Sequence, residues 1–224
     1  MDRLADLSGS ELLQAALLSE QADRICAVSA FGAESAVLLD MVARIDRTLP
    51  VLFIDTGRHF PETLAYRDTL VERLRLKDVR SVGPARVGIE GDPGGTRYAD
   101  DPDGCCEIRK VAPLDKALRE FDVWITGRKR FQGGLRSELS TVESDGPGRW
   151  KLNPLADWTP ARIDAYFTAF RLPRHPLVDQ GYRSIGCSPC TRRPGDGEGD
   201  RDGRWSGSDK TECGIHRYSG PRAA

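Results

Sequence analysis

Residues 25–58 read ICAVSAFGAESAVLLDMVARIDRTLPVLFIDTGR, and their order decides the fold. Ile25–Ser29 is a short apolar run of the length of a buried strand. The turn AFGA follows, and then Val37, Leu38, Met41 and Val42 recur at helical spacing. Val51–Ile54 is a second apolar run, and the turn DTGRHFPE leads into a helix expected over 62–76. Strand, loop, helix, repeated once, predicts an α/β protein with a parallel sheet and right-handed crossovers.

The pattern extends both ways from this unit. Upstream, Ser8 and Glu11 ahead of LLQAALL read as a capping box opening a helix. Downstream, 83–104 is rich in Gly and Pro and reads as an excursion or flexible loop. A helix is expected over 105–120, with Pro113 near its start or at a kink. Asp122–Thr126 is a further strand running into GRKRFQGGLRSEL, and Thr159 with Pro160 opens a helix ending near Phe170. Beyond Gly186 the character changes: 194–207 is dominated by Gly, Pro and charge, and reads as a mobile linker with little to bury. The expected division is an α/β nucleotide-binding domain over 1–185 and a C-terminal segment over 186–224.

The 224 residues suit one such domain, with 39% hydrophobic and 30% charged residues. Lys and Arg total 33 against 34 Asp and Glu, a net charge of −1, which disfavours a globally basic nucleic-acid binder. No apolar run reaches the ~18 residues of a membrane span. The N-terminus MDRLADLSGSELLQ lacks the basic-then-apolar order of a secretory signal. A cytoplasmic enzyme fits these bounds.

The six cysteines are Cys26, Cys105, Cys106, Cys187, Cys190 and Cys213. A CC pair and a distant C-x-x-C pair suit a tetrahedral zinc or an iron–sulfur cluster, with a redox C-x-x-C as the plainer alternative. Adjacent cysteines fit one zinc ion poorly, whereas a cluster lets neighbouring thiolates bind different irons. Cys26 lies in an apolar run and reads as an inert core thiol.

Ligands of an open parallel sheet bind at the carboxyl ends of its strands. Three loops lie there: Ser29-Ala30-Phe31-Gly32-Ala33-Glu34-Ser35, Asp55-Thr56-Gly57-Arg58 and Gly127-Arg128-Lys129-Arg130. The first offers small residues and hydroxyls at a helix N-terminus, where phosphate is favoured, although a plain tight turn explains it equally well. Neither G-x-x-x-x-G-K-[ST] nor G-x-G-x-x-G is present. Arg109 and Lys110 add positive charge beside the CC pair, suited to a phosphate or phosphosulfate.

With SAFGAES, IDTGRHFPET, CCEIRKVAPL, WITGRKRFQ, KLNPLADW, GCSPCTR and KTECGIH in this order, the chain resembles the adenylylsulfate and phosphoadenylylsulfate reductase family, and most closely its iron–sulfur branch. The resemblance implies an adenine nucleotide alpha hydrolase-like domain with a modified phosphate loop and a flexible C-terminal catalytic tail. It implies one 4Fe–4S cluster per chain on Cys105, Cys106, Cys187 and Cys190, and Cys213 as nucleophile. Ser29–Ser35 would be the phosphate loop, and Arg58 the arginine of the second strand-end loop. Lys110 would lie between cluster and substrate, Arg128–Arg130 would face the sulfate, and Arg192 would contact substrate. His216 would donate a proton or meet phosphate, unless it is simply a surface histidine; His59 and His175 read as structural. Glu212, beside the nucleophile, is expected to point away.

The implied reaction is reduction of adenosine 5′-phosphosulfate to sulfite and AMP through an S-sulfocysteine, with thioredoxin or glutaredoxin as the reductant. The implied protein is a homo-oligomer without nucleic-acid or membrane partners. The 3′-phosphorylated nucleotide is the alternative substrate. An ATP pyrophosphatase-type adenylating enzyme and a non-catalytic metal-binding redox sensor are the rival classes. Phe131 departs from the family's usual acidic residue, and Ala30-Phe31 from its commoner Ser-Gly.

Overall fold

The computed structural model describes residues 4–19 and 24–216. A six-stranded sheet runs in the order β3-β2-β1-β4-β6-β5. Its strands are β1 (Ile25–Ser29), β2 (Val51–Ile54), β3 (Val79–Val82), β4 (Val123–Ile125), β5 (Val142–Ser144) and β6 (Trp150–Leu152). All neighbours are parallel except the edge pair β5 and β6. β1, β2 and β4 are buried throughout because helices cover both faces of a parallel sheet. One face packs on α1 (Gly9–Leu17), α2 (Ser35–Ile45), α3 (Pro61–Leu74) and α8 (Pro160–Ala169); Leu118 and Phe121 close the other over Cys26 and Trp124. Successive strands step outward from β1 to β3, then resume at β4 on the other side of β1. That reversal opens a crevice at the carboxyl ends of β1 and β4.

Several elements differ from the sequence reading. Ser8 takes the N-cap position of α1 with extended backbone, but its side chain makes no capping bond. Thr159 does cap α8, accepting from the Arg162 amide at 3.2 Å. β3 ends just before the Gly- and Pro-rich excursion, which itself folds into the short helices α4 (Arg86–Glu90) and α5 (Arg97–Asp100) and the start of α6 (Pro102–Cys106). It is tied down by a buried ion pair, Asp92 to Arg109 at 2.8 Å.

The helix expected over 105–120 is composite. A π-helical turn, Glu107–Val111, separates α6 from α7 (Ala112–Leu118). Pro113 has no amide hydrogen to give the carbonyl four residues back, and its ring would collide with that carbonyl. The wider turn just before it relieves both problems and leaves the consecutive Arg109 and Lys110 buried at 6% and 8% exposure.

The C-terminal stretch also differs: 194–207 does have something to bury. Trp205 is only 5% exposed, and Thr191 bridges to Arg204. Two short elements precede it, α9 (Pro176–Asp179) and a 3₁₀ turn at Ser188–Cys190. No helix is long and apolar enough to cross a membrane among the described residues.

Candidate active site

A cleft of about 220 Å³ occupies the crevice at the carboxyl ends of β1, β2 and β4. Ser29, Gly32, Ala33, Glu34 and Ser35 line one wall, and no side chain caps the start of α2 there. The amides at that helix start and its dipole favour an anion. Gly32 stands close to the far wall, since a Cβ on it would meet the Ile185 carbonyl at 3.2 Å.

The remaining site residues separate into those the fold brings together and those it does not. Thr56, Lys110, Gly127, Arg128, Lys129, Cys187, Cys213 and His216 line the cleft. Phe31 does not: at φ 49° its ring turns into the core, edge-to-face with Phe53 at 5.4 Å, and its amide donates to Ser29 Oγ. It anchors the Ser29–Ser35 loop from below. Asp55 accepts from the Gly57 amide and shapes its turn, while Arg58 faces the thiol cavity. Arg130 is exposed and donates to the Leu139 carbonyl. Arg192 is exposed and paired with Glu198 at 2.7 and 2.8 Å, off the cleft.

Further cations on the cleft wall come from segments with no recognisable motif. Arg136 follows the basic loop, and Arg201 and Arg204 come from the supposed linker. Arg204 stacks over Trp205 with 4.4 Å to the ring centroid, and Lys110 Nζ lies 5.9 Å from the same ring. The Nε of Arg204 is buried without a hydrogen-bond partner among the described residues. Trp205, a large aromatic amid Gly, Asp and Arg, was the available signal that this stretch folds back.

Cys213 is half-buried and shares the cleft wall with Lys110, Arg201 and Arg204. Burial works against the Lys110 ammonium, but the electrostatic pull of the neighbouring sulfurs of Cys187, Cys213 and Cys106 outweighs it and holds its pKa above the ordinary lysine value. Burial, reinforced by Arg136, brings Arg201 down to about 10. Lys129 is likewise lowered by burial, against the pull of Glu34 at 2.8 Å.

Glu212 does not point away. It lines the cleft in an ion pair with Arg136 and Arg201, which outweigh its burial and hold its carboxyl below the usual range. His216 stacks parallel on Trp124 at 5.6 Å, and Lys151 donates to its carbonyl. Burial and the cations Arg128, Arg136, Lys151 and Arg201 push its imidazole pKa well below the ordinary value, so here the ring is neutral. His175 is structural, joining α3 to α9. His59 donates to or accepts from nothing but backbone, yet lines the cleft edge.

Next to the cleft, Cys105, Cys106, Cys187 and Cys190 line one small cavity, and all four are unbonded to one another. They come from α6 and from the segment that pairs Cys187 with His59. Among the described residues no three His, Cys, Asp or Glu side chains are arranged to hold a single ion. Four thiols sharing a cavity wall, with Thr56 Oγ1 3.3 Å from Cys187 Sγ, nevertheless fit the donor chemistry of a multi-iron centre. Without such a centre burial raises the thiol pKa of Cys105, Cys106 and Cys190, that of Cys106 up to about 11. Cys26 sits apart, fully buried, its pKa raised by desolvation.

Comparison with known proteins gives consistent results. Residues 24–193 match the family model described as phosphoadenosine phosphosulfate reductase domain. An adenosine 5′-phosphosulfate reductase of Mesorhizobium japonicum is 50% identical over 195 residues, covering 87% of this chain and 76% of the relative. One from Mycolicibacterium smegmatis is 40% identical over 216 residues, 95% of this chain and 90% of the relative. A phosphoadenosine 5′-phosphosulfate reductase of Gloeobacter violaceus is 44% identical over 199 residues, 87% and 83% of the two chains. Among solved structures, the phosphoadenylyl-sulfate reductase of Candida auris, a phosphate complex, superposes with a TM-score of 0.70 at 26% identity, covering 85% of this chain and 93% of that one.

Proposed function

The chain belongs to the phosphoadenosine phosphosulfate reductase family, and on that premise we propose that it reduces adenosine 5′-phosphosulfate to sulfite and AMP for sulfate assimilation. The observation that carries this reading is the placing of Cys213 on the wall of a cationic cleft at the sheet's switch point, beside Lys110, Arg201 and Arg204. An anionic nucleophile approaching an anionic sulfate needs such cations to screen the repulsion and to favour thiolate over thiol.

The steps follow from the residues. The start of α2 and Ser29–Ser35 hold the nucleotide's phosphate, while Arg136, Arg201 and Arg204 receive the sulfate end. Cys213 Sγ attacks the sulfur; the bond from sulfur to the bridging oxygen breaks, its electron pair leaving with AMP. Cys213 is then an S-sulfocysteine. A dithiol of the thioredoxin or glutaredoxin class attacks Cys213 Sγ, displaces sulfite and forms a mixed disulfide. Its second thiol resolves that bond and restores Cys213. The neutral His216 can donate one hydrogen bond but carries no charge for phosphate. Cys105, Cys106, Cys187 and Cys190 would hold a 4Fe–4S cluster, which when bound supplies a structural and electrostatic centre beside Lys110. A cytoplasmic setting, where thiols stay reduced, suits these residues.

The relatives' names divide between the two nucleotides, and the higher-identity match to adenosine 5′-phosphosulfate reductase supports the unphosphorylated one. The test is sulfite release from each nucleotide with a dithiol reductant. The expected result is higher kcat/KM for adenosine 5′-phosphosulfate, and Cys213→Ser should abolish sulfite release while nucleotide binding persists. Normal turnover by that variant would overturn the assignment of the nucleophile.

A further inference from the structure

Glu212 is chemically out of place in a cleft built for an anion. Its carboxylate accepts from Arg136 Nε at 2.5 Å and Nη2 at 2.9 Å, and lies 3.1 Å from Arg201 Nη2. The three side chains are 11–18% exposed, so the cluster is largely withdrawn from water. Two guanidinium groups on one carboxylate reproduce the arrangement by which arginines hold a sulfate or phosphate oxyanion. A carboxylate and such an oxyanion cannot share these arginines without like-charge repulsion.

Position along the chain gives this contact a mechanical meaning. Glu212 immediately precedes Cys213, and on the other side His216 is stacked on Trp124. Between the two anchors Gly214, at φ 88°, turns the backbone, and a Cβ there would meet Val111 Cγ2 at 3.3 Å. The segment bearing the nucleophile is therefore pinned on both flanks, by an ionic contact on one and a ring stack on the other. Only the ionic anchor uses groups that an anionic ligand also wants. Lys210, earlier in the segment, pairs with Asp103 on α6 and is outside this competition.

We propose that Glu212 is the chain's own occupant of the oxyanion site: it docks the Cys213 segment through Arg136 and Arg201, and gives these arginines up to the sulfate or phosphate group of the entering nucleotide. The inference rests on the functional reading above for the identity of the ligand, but not for the docking contact. Glu212 acts through the arginines and is a positioning residue. Its cost is that part of the protein is closed to ligand at any moment, which weakens apparent affinity by the open fraction. Its benefit is that displacement frees the segment to move as the nucleotide arrives.

The test uses the full chain with Cys213→Ser as background, so that adenosine 5′-phosphosulfate binds without turnover. Calorimetric titration should show Glu212→Gln binding that nucleotide roughly ten-fold more tightly, with adenosine, which lacks the anion, unchanged. Glu212→Asp, which keeps the charge, should lie between. Limited proteolysis before nucleotide is added should cut the 206–216 segment several-fold faster in Glu212→Gln, and Glu212→Asp should restore protection. Unchanged or weaker nucleotide binding by Glu212→Gln together with unchanged cleavage overturns the proposal. If no variant binds the nucleotide, the functional reading fails instead, and proteolysis alone decides whether Glu212 is the anchor.

Discussion

Gly186 backs the guanidinium of Arg204 so closely that a Cβ there would overlap it. The colliding group is the far end of a flexible side chain, so Gly186→Ala should move the guanidinium rather than unfold the protein. The expected outcome is a fall in kcat/KM of about ten-fold, the equivalent of one charge-assisted hydrogen bond, with a thermal midpoint within a few degrees of wild type. Wild-type kinetics would mean that Arg204 does not touch the substrate. Of the motif residues, Cys105, Cys106 and Cys190 line the thiol cavity, Cys213 lines the neighbouring cleft, and Lys110 and Cys187 line both. Arg201 and Arg204 were invisible because Gly, Pro and charge around them carry the compositional mark of a solvated linker. Arg192 was singled out by its place after C-x-x-C, yet Glu198 draws it outward.

At the scale of elements, α3 and α9 are joined by a histidine that titrates on the wrong side for the folded state. His175 is fully buried; Leu177 donates its amide to Nδ1, so the proton sits on Nε2, which donates to Thr63 Oγ1 at 3.0 Å. Burial lowers its pKa to about 4. The folded form therefore prefers the neutral ring, and its contribution is whole above the unfolded value of about 6.5. It drains away as pH falls from there towards 4, because the unfolded chain binds the proton first. Chemical denaturation should show stability declining by up to ~1.4 kcal/mol per pH unit in this window from this residue. His175→Gln should flatten the slope while costing stability at neutral pH, and an unaltered slope would assign the pH dependence elsewhere.

The long apolar or periodic elements, β1, β2, α2, α3 and α8, were legible because period and length agree. β3, β5 and β6 were not. Each is three or four residues long: β3 and β5 lie at the sheet edges with part-exposed side chains, and β6, though mostly buried, has Lys151 between Trp150 and Leu152, so none shows a continuous apolar run. The π turn was visible only as a proline in the wrong place, since widening a helix changes no residue pattern.

Over the whole molecule the formal charge of −1 conceals a strong asymmetry. Seven Lys and Arg side chains line the cleft against three carboxylates, so the surface elsewhere carries the compensating negative charge. Low-dielectric walls focus the field of such a cleft and draw anions toward it. The docking of Glu212 lowers this attraction and its displacement restores it, so steering and closure act on the same arginines. Salt shortens the reach of the field to about 3 Å at 1 M, from about 10 Å at 0.1 M. Contacts already made inside the cleft are screened far less than the approach through solvent. Raising sodium chloride should therefore depress kcat/KM for adenosine 5′-phosphosulfate several-fold while kcat changes little. Stopped-flow binding at matched ionic strengths should place the loss in the association rate. A loss found mainly in kcat would instead mean that salt disrupts the Lys110, Arg201 and Arg204 environment of the Cys213 thiolate itself.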